Sequence, residues 1–181
     1  MPERSENLVL VDLFDRECGT AAKLSAHRGP HLHRAFSVFL LSPDKKQVLL
    51  QKRAFTKYQS GGLWANSCCS HPRAGEEVVP SAEARLKEEL GMTCPLREIG
   101  HFVYEAAFPD GIAEYEYDHV LLGTYEGALT PDPEEIESVR WVTLGETAEE
   151  LKNYPERFAV WFRTAFPMVL EALAEGKFQF P

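Results

Sequence analysis

The sequence predicts an α+β domain in which a mixed sheet is flanked by helices. Two observations predict this class: strand-like segments outnumber helical ones, and the helices lie between hairpins or late in the chain rather than alternating with single strands. A length of 181 residues suits a single domain over residues 1–181. A chain of that length buries roughly 70% of the surface that its unfolded form exposes, so it needs no disulfides to be stable.

The first part of the chain predicts short strands. Leu8 to Phe14 alternates apolar and polar residues, which is typical of a half-buried strand. Ala21 to Arg34 shows no such pattern and is expected to be irregular. Ala35 to Leu41 and Gln47 to Arg53 are apolar, β-rich runs on either side of the Ser42–Lys46 turn, and together they predict a hairpin.

A helix is predicted over Val78–Leu90. Pro80 lies in its first turn, and Gly91 follows its last residue as a C-cap. The apolar positions recur every three or four residues, as in a helix with one buried face: Val79, Ala82, Leu86 and Leu90.

The second half of the chain predicts a long hairpin followed by two helices. Ile99 to Phe108 and Ile112 to Thr124 are strand-like and are separated by a Pro-Asp-Gly turn. A short strand, Val139 to Val142, precedes helical segments at Glu146–Asn153 and Phe158–Ala174. The last five residues, 177–181, show no pattern.

The composition argues against several kinds of partner. The 19 basic and 28 acidic residues give a net charge of −9, which disfavours nucleic acid and anionic membranes because phosphate contacts need clustered Lys and Arg. A small phosphorylated substrate is still compatible with this charge. No apolar run approaches the ~20 residues of a membrane span, and the charged N-terminus lacks the layout of a secretory signal.

The four cysteines favour a reduced, cytoplasmic protein. Their spacing resembles no zinc knuckle, and the adjacent Cys68 and Cys69 point to opposite faces of a strand and make a poor disulfide pair. We expect a monomer or a weak dimer.

The segment Trp64–Pro72 places a thiol beside an imidazole. Cys69 and His71 are two residues apart, so in an extended strand both side chains point to the same face. Cys68 then points to the other face and packs as a small apolar residue. A thiol and an imidazole on one face offer proton transfer and metal binding.

Histidines and paired carboxylates predict a metal site. His27, His33 and His71 lie in polar contexts, and imidazole is the commonest neutral metal ligand, although solvated or structural histidines are the ordinary alternative. Glu114 and Glu116 share one strand face, which an acidic solvent-exposed face would explain equally well. Three imidazoles and two carboxylates suit Mg²⁺, Mn²⁺ or Zn²⁺, and the ligands do not select among these ions.

Residues 70–92 resemble a degenerate Nudix box. Glu76 and Glu88–Gly91 fit the pattern, whereas Ser70 replaces its opening glycine and Ala84-Arg85 replaces its Arg-Glu pair. The resemblance implies a Nudix-like mixed sheet with an extra N-terminal strand and C-terminal helices. Since the replaced glutamate binds metal in the usual box, its loss argues against an ordinary Nudix hydrolase.

The chain as a whole closely resembles the type 1 isopentenyl diphosphate isomerases, a Nudix-related family that combines the altered box with a Cys-x-His motif. The resemblance spans roughly residues 8–170 in the expected order. Several separated segments carry it: His33–Leu40, Leu63–Pro72, Glu88–Gly91, Tyr104, Asp110–Glu116, Pro131–Glu135 and Trp161. Gly61-Gly62 departs from the Pro-Gly that the family often has there, which is expected to loosen that turn.

The resemblance implies a double-bond shift that converts isopentenyl diphosphate into dimethylallyl diphosphate in isoprenoid biosynthesis. The reaction passes through a tertiary carbocation and needs an acid and a base on opposite faces of the substrate. By resemblance, Glu116 and Tyr104 protonate the alkene and Cys69 acts from the other face; this direction is a hypothesis. Trp161 would lie beside the cation, with core packing as the alternative.

The same resemblance implies two metal positions and a cationic diphosphate site. The histidine–glutamate site would contain His27, His33, His71, Glu114 and Glu116, with His31 as the competitor of His27. Glu89 would hold Mg²⁺ that arrives with the diphosphate. Four cations would face the diphosphate, although each alone is more often a surface charge: Lys23, Arg53, Lys57 and Arg85. A Nudix diphosphate hydrolase and a catalytically silent metal-binding module are the alternative functions.

Overall fold

The computed structural model describes residues 7–29, 31–109, 111–176 and 178. In these residues nine strands form one mixed sheet. The strands are β1 (Asn7–Val11), β2 (Glu17–Ala22), β3 (His33–Leu41), β4 (Gln47–Arg53), β5 (Trp64–Ala65), β6 (Cys68–Ser70), β7 (Arg97–Ala107), β8 (Ala113–Thr124) and β9 (Ile136–Thr143). The helices are α1 (Lys23–Arg28), α2 (Val78–Leu90), α3 (Leu144–Asn153) and α4 (Phe162–Ala174), with a 3-10 turn at Pro155–Arg157.

Strand β3 lies at the centre of the sheet. Along one edge it pairs in parallel with β8, from His33 opposite Glu116 to the end of both strands. Along the other edge it pairs antiparallel with β6, where Ser37 lies opposite Cys69. The predicted hairpin of β3 and β4 is confirmed only beside its turn, at Leu41 opposite Val48. Further along the same edge, β4 pairs with β5 at Gln51 and Lys52, and along its other edge it pairs with β9 over its whole length.

The two faces of the sheet form two cores. Alternate β3 residues such as Phe39 pack with Phe162 and Phe166 of α4 on one face. The residues between them, such as Val38, pack with Leu86 and Leu90 of α2 on the other. Each fully buried side chain of this size contributes roughly 1.5–3 kcal/mol, so both helices are held mainly by these contacts.

Helix α2 has the bounds that the sequence predicts. Gly91 follows it with a φ of 69°, a left-handed conformation that glycine adopts without strain. A Cβ at this position would lie 3.0 Å from the Thr130 side chain, which is a second reason for glycine. The long β7–β8 hairpin is also confirmed, with strands shifted by one or two residues from the predicted bounds.

Several predicted bounds in the N-terminal region are wrong. The first strand ends at Val11 because the Asp12 carboxylate accepts hydrogen bonds from the backbone N–H groups of Phe14 and Arg16 and closes a turn. The segment Ala21–Arg34 is not irregular: it contains the end of β2, all of α1 and the start of β3.

Three C-terminal elements also differ from their predicted bounds, and α3 begins at Leu144 rather than Glu146. The strand predicted at Val139–Val142 extends over the whole of β9 because it pairs with β4 along its length. The last helix begins at Phe162 rather than Phe158, because the residues before it pair with β5 instead: Phe158 lies opposite Trp64, and Ala159 N–H donates to the Trp64 carbonyl.

Asp110 of the predicted turn and residues 177 and 179–181 lie outside the described residues. No helix in the described ranges is long and apolar enough to cross a bilayer.

Candidate active site and metal cluster

A cleft opens on the face of the sheet that carries the polar ends of β3, β6 and β8. It holds about 580 Å³ of empty space, counting the part open to solvent. It is lined by every side chain that the sequence predicted to be catalytic or to contact substrate: Cys69, Tyr104, Glu116, Lys23, Arg53, Lys57, Arg85 and Trp161. His71 and Glu114 line it as well.

Four side chains form a compact cluster behind this cleft. His27, His33, His71 and Glu116 each offer one ligand atom, and these atoms lie within 4.8 Å of one another. They come from α1, the start of β3, the residue after β6 and the middle of β8. The register that places His33 opposite Glu116 therefore builds half of the cluster. The ring of His31 lies outside it and is exposed.

The two fully buried histidines are held in the tautomer that a metal requires. Nδ1 of His27 lies 2.6 Å from the Lys23 carbonyl oxygen, and Nδ1 of His33 lies 2.9 Å from the carbonyl of His31. A carbonyl can only accept, so each Nδ1 carries the proton and each Nε2 keeps its lone pair. Both Nε2 atoms are buried without a hydrogen-bond partner. Metal-ligating histidines typically show this arrangement, so the residues fit a divalent ion.

His71 and Glu116 complete the cluster. Nε2 of His71 lies 3.0 Å from Oε1 of Glu116. Burial lowers the pKa of His71 to about 4, so its imidazole is neutral. Burial alone would raise the pKa of Glu116, but the adjacent imidazoles of His33 and His71 hold it well below its ordinary value. The cluster therefore offers three imidazoles and one carboxylate.

Tyr104 joins Glu116 to a second carboxyl group. Its hydroxyl lies 2.7 Å from Oε2 of Glu114 and 2.7 Å from Oε2 of Glu116. One hydroxyl donates one proton, so both contacts are hydrogen bonds only if one carboxyl is protonated. Burial and the charge of Glu116 raise the pKa of Glu114 to about 8, which assigns that proton to Glu114. Glu114 lies outside the group of four ligands, and its role as a metal ligand stays a prediction.

Cys69 lies on the same sheet face, across β3 from these carboxyl groups. Its neighbour Cys68 is fully buried against the α2 core, so the two thiols point to opposite faces, as the alternation predicts. Burial raises the pKa of Cys69 to about 12, which keeps the thiol protonated near neutrality. Nη1 of Arg53 lies 3.4 Å from its Sγ and is placed to stabilise the thiolate.

Trp161 forms the apolar wall of the cleft. With Ala65 it belongs to a small buried cluster against which Cys69 and Tyr104 pack. Its Nε1 donates to Oδ1 of the fully buried Asn66 at 2.9 Å. The Arg53 guanidinium lies 5.1 Å from the centre of the Trp161 ring. Trp161 is therefore a packed core residue and a lining residue at once.

Glu89 does not line the cleft itself but pairs with Arg85, which together with Lys57 forms the cationic end of the cleft. Its Oε1 accepts from Nε of Arg85 at 3.0 Å, and its Oε2 is buried without a hydrogen-bond partner. Burial raises the pKa of Glu89. A buried carboxylate oxygen with no donor fits the Mg²⁺ that the resemblance places there.

Sequence reasoning missed four polar residues of this region, which are Ser37, Asn66, Asp118 and Glu135. Asp118 lines the cleft; its Oδ2 accepts from Ser37 Oγ at 2.8 Å, and burial raises its pKa well above the ordinary value. Glu135 pairs with both Lys57 and Arg85, and Asn66 orients Trp161. The alternation that selected Glu114 and Glu116 extends to Asp118 and was the one available signal.

Comparison with known proteins identifies the family. Residues 31–162 match the family model of the NUDIX domain. The chain is 45% identical over 158 residues to isopentenyl-diphosphate Delta-isomerase 2 of Photorhabdus laumondii, which covers 87% of this chain and 89% of that protein. It is 43% identical over 159 residues to isopentenyl-diphosphate Delta-isomerase of Serratia proteamaculans, with 88% of each chain covered. The chain belongs to the isopentenyl-diphosphate Delta-isomerase family of Nudix proteins.

Solved structures support the fold of this Nudix isomerase family member. A crystal structure of a Deinococcus radiodurans protein matches with a TM-score of 0.71 and 17% identity, over 90% of this chain and 98% of that one. The MutT protein from Methanosarcina mazei matches with a TM-score of 0.64 and 15% identity, over 82% and 96%. At these identities the likeness shows the fold alone, and it confirms the predicted Nudix-like α+β architecture.

Proposed function

We propose that this protein interconverts isopentenyl diphosphate and dimethylallyl diphosphate, a step of isoprenoid biosynthesis, through a tertiary carbocation. The observation that carries this proposal is the pairing of two proton-transfer groups across one cleft, Cys69 on one side and the Glu114–Tyr104–Glu116 chain on the other. The names of the relatives at 38–45% identity agree with it.

The chemistry requires two proton transfers at neighbouring carbons. A proton added to the terminal CH₂ of isopentenyl diphosphate leaves a tertiary cation, and loss of a proton from the carbon on the diphosphate side forms the new double bond. We assign the first transfer to Glu116 with Tyr104, because Tyr104 links Glu116 to a proton held at Glu114. Cys69 accepts the second proton, for which its thiol must first ionise; the Arg53 guanidinium beside Sγ would stabilise that thiolate.

The reaction is reversible, so each group acts as an acid in one direction and as a base in the other. The protonated thiol that burial favours at Cys69 is the form needed to start from dimethylallyl diphosphate. The short-lived cation would face the ring of Trp161, where a desolvated cation–π contact contributes roughly 2 kcal/mol. The packing of Cys69 and Tyr104 against this ring keeps water from the reacting carbons.

The ligand set suits one divalent ion, Mn²⁺, Mg²⁺ or Zn²⁺, held by His27, His33, His71 and Glu116, with Glu114 next to it. When bound, such an ion supplies the positive charge that lets two buried carboxyl groups lie side by side. Glu89 would hold the Mg²⁺ of the diphosphate. The diphosphate itself would contact the cations that line the cleft: Lys23, Arg53, Lys57 and Arg85.

A proton-exchange assay tests the proposed function. Purified protein with Mg²⁺ is expected to convert isopentenyl diphosphate into dimethylallyl diphosphate and to incorporate deuterium from D₂O. Cys69→Ala and Glu116→Gln should each lower turnover by about 10³-fold or more, since each removes one of the two proton-transfer groups. Cys68→Ala should keep turnover, because Cys68 faces the α2 core.

The assay also separates the alternatives. Release of inorganic phosphate or diphosphate without dimethylallyl product would favour a hydrolase. Neither conversion nor exchange, with bound metal verified, would overturn the isomerase and favour a silent metal-binding module. The cytoplasmic location and the monomeric or weakly dimeric state stay predictions.

A further inference from the structure

We propose that Glu135 is a positioning residue for diphosphate binding, because its single carboxylate holds Lys57 and Arg85 together at the cationic end of the cleft. The inference rests on the proposed function in one respect, namely that the substrate carries a diphosphate. Glu135 itself does not line the cleft and is not placed to contact the substrate.

The two cations come from different parts of the fold. Oε2 of Glu135 pairs with Nζ of Lys57, which lies in the loop between β4 and β5. Oε1 of Glu135 lies 3.2 Å from Nη2 of Arg85, which lies on α2. All three side chains are only 23–25% exposed, so solvent screens these pairs less than it screens surface pairs.

The backbone around Glu135 is tied to the same two elements. Its carbonyl accepts from Ala54 N–H at 3.0 Å, at the start of the loop that carries Lys57. Its own N–H donates to the Asp132 carbonyl at 3.0 Å, and Asp132 N–H donates to the carbonyl of Glu89 on α2 at 2.8 Å. The backbone of Glu135 is therefore hydrogen-bonded to the β4–β5 loop and connected to α2 through Asp132. Its side chain pairs with Lys57 of that loop and with Arg85 of that helix.

Whether loss of Glu135 weakens or strengthens diphosphate binding depends on the N–H donors of Arg85 and Lys57 that are left for phosphate oxygens. Arg85 already directs Nε and Nη1 at Glu89 and Glu88, and Nη2 at Glu89 and Glu135. An ammonium has three donors, and the contact with Glu135 uses one, so Lys57 can bind phosphate oxygens without leaving Glu135. Fixing a flexible lysine before the substrate arrives lowers the entropic cost of binding. Loss of Glu135 should therefore weaken diphosphate binding.

The carboxyl group of Glu135 is ionised, as its ion pairs with Lys57 and Arg85 require. Burial alone would raise the pKa of Glu135, but Lys57 and Arg85 hold it below its ordinary value. The carboxylate is thus ionised over the whole neutral range.

The test compares Glu135→Gln with Glu134→Gln, which removes the same charge from the neighbouring exposed residue. Binding of inorganic diphosphate with Mg²⁺ is measured by calorimetry, and KM and kcat are measured with isopentenyl diphosphate. Glu135→Gln should raise the Kd and the KM by about 5- to 20-fold and leave kcat within about twofold, as expected for lost uniform binding. Glu134→Gln should change neither by more than about twofold, and Glu135→Asp should restore part of the affinity.

A double-mutant cycle with Lys57→Met identifies the cause. Lys57→Met should raise KM by itself, and adding Glu135→Gln should raise it little further, because both changes remove the same fixed cation. Thermal melts verify that the variants are folded; if Glu135→Gln is unfolded, Glu135→Asp and Lys57→Met carry the comparison. A structural role alone would lower kcat and the melting temperature together.

Unchanged or tighter diphosphate binding by Glu135→Gln, or full additivity with Lys57→Met, would overturn the inference. If instead the proposed isomerase function is wrong, the assays give a different result. In that case the wild type binds diphosphate, with the same dependence on Glu135, but does not convert isopentenyl diphosphate.

Discussion

Metal binding should stabilise the protein through His27 and not through His31. We expect addition of Mn²⁺ to the metal-free protein to raise the melting temperature of the wild type and of His31→Ala, but not that of His27→Ala. His27 contributes a buried, unpartnered Nε2 to the cluster. The ring of His31 is exposed, and only its backbone carbonyl, which alanine retains, supports His33.

The size of the effect follows from linkage. An ion that binds the folded state alone stabilises it by about 2.7 kcal/mol when its free concentration is 100 times its Kd. For a chain of 181 residues, each kcal/mol shifts the melting temperature by roughly 2–4 °C. The wild type and His31→Ala should therefore melt about 5–11 °C higher with Mn²⁺ than without.

The measurement is differential scanning calorimetry of each protein with and without the ion, at a fixed multiple of the wild-type Kd. Only the metal-dependent shift is compared, since losing the buried His27 ring alters the metal-free stability as well. A shift that survives in His27→Ala but vanishes in His31→Ala would refute the placement of α1. A shift that survives in both variants would show that the cluster is not where the ion binds.

Three further results are expected. Asn66→Leu removes the buried amide that joins the Trp161 indole to the carbonyls of Val38 and Cys68. Leaving these three groups unpaired costs about 1–3 kcal/mol each, so urea unfolding should show a loss of about 3–9 kcal/mol. Leu86→Ala should cost about 2–5 kcal/mol in the same assay, because the side chain is fully buried. In the metal-free protein, the raised pKa of Glu114, about 8 against 4.5, gives stability that is full below pH 4.5 and is lost as the pH rises through 8. From pH 6.5 to 8, where the lowered pKa values of the buried histidines no longer contribute, Glu114 should account for a loss of up to about 2 kcal/mol. Glu114→Gln should remove that part of the loss.

The elements with local signals could be predicted from the sequence. Helix α2 has a 3.6-residue apolar period, a proline in its first turn and a terminal glycine, and its bounds were predicted correctly. The long β7–β8 hairpin has strand-like segments on both sides of a turn signal. In both cases the information lies within about a dozen neighbouring residues.

Elements that depend on distant contacts could not be predicted. Strand β2 is mostly exposed and has no apolar alternation, and its pairing with β1 defines it. Helix α1 has six residues and no side-chain N-cap, so propensity alone would not support it. Yet this helix brings His27 to the cluster and Lys23 to the cleft. The least predictable segment therefore contributes to both parts of the site.

The candidate site shows the same division. Alternation along single strands gave the shared face of Cys69 and His71, and the family resemblance gave the ligands. The supporting residues Asn66 and Glu135 act across the sheet or between a loop and a helix, so their partners are defined only by register and packing. A single sequence contains no period or spacing that links Asn66 to Trp161, 95 residues later.

Under the proposed function, the positive charge at position 85 would let this Nudix fold hold a diphosphate without favouring its hydrolysis. The usual box has a metal-binding glutamate where this chain has Arg85. Its guanidinium contacts three carboxylates, those of Glu88, Glu89 and Glu135. A glutamate there would leave four carboxylates together, and their repulsion would be relieved by further divalent ions beside the diphosphate. The arginine neutralises part of that charge from within the protein, so under the proposed function the chemistry would be left to Cys69, Tyr104 and Glu116.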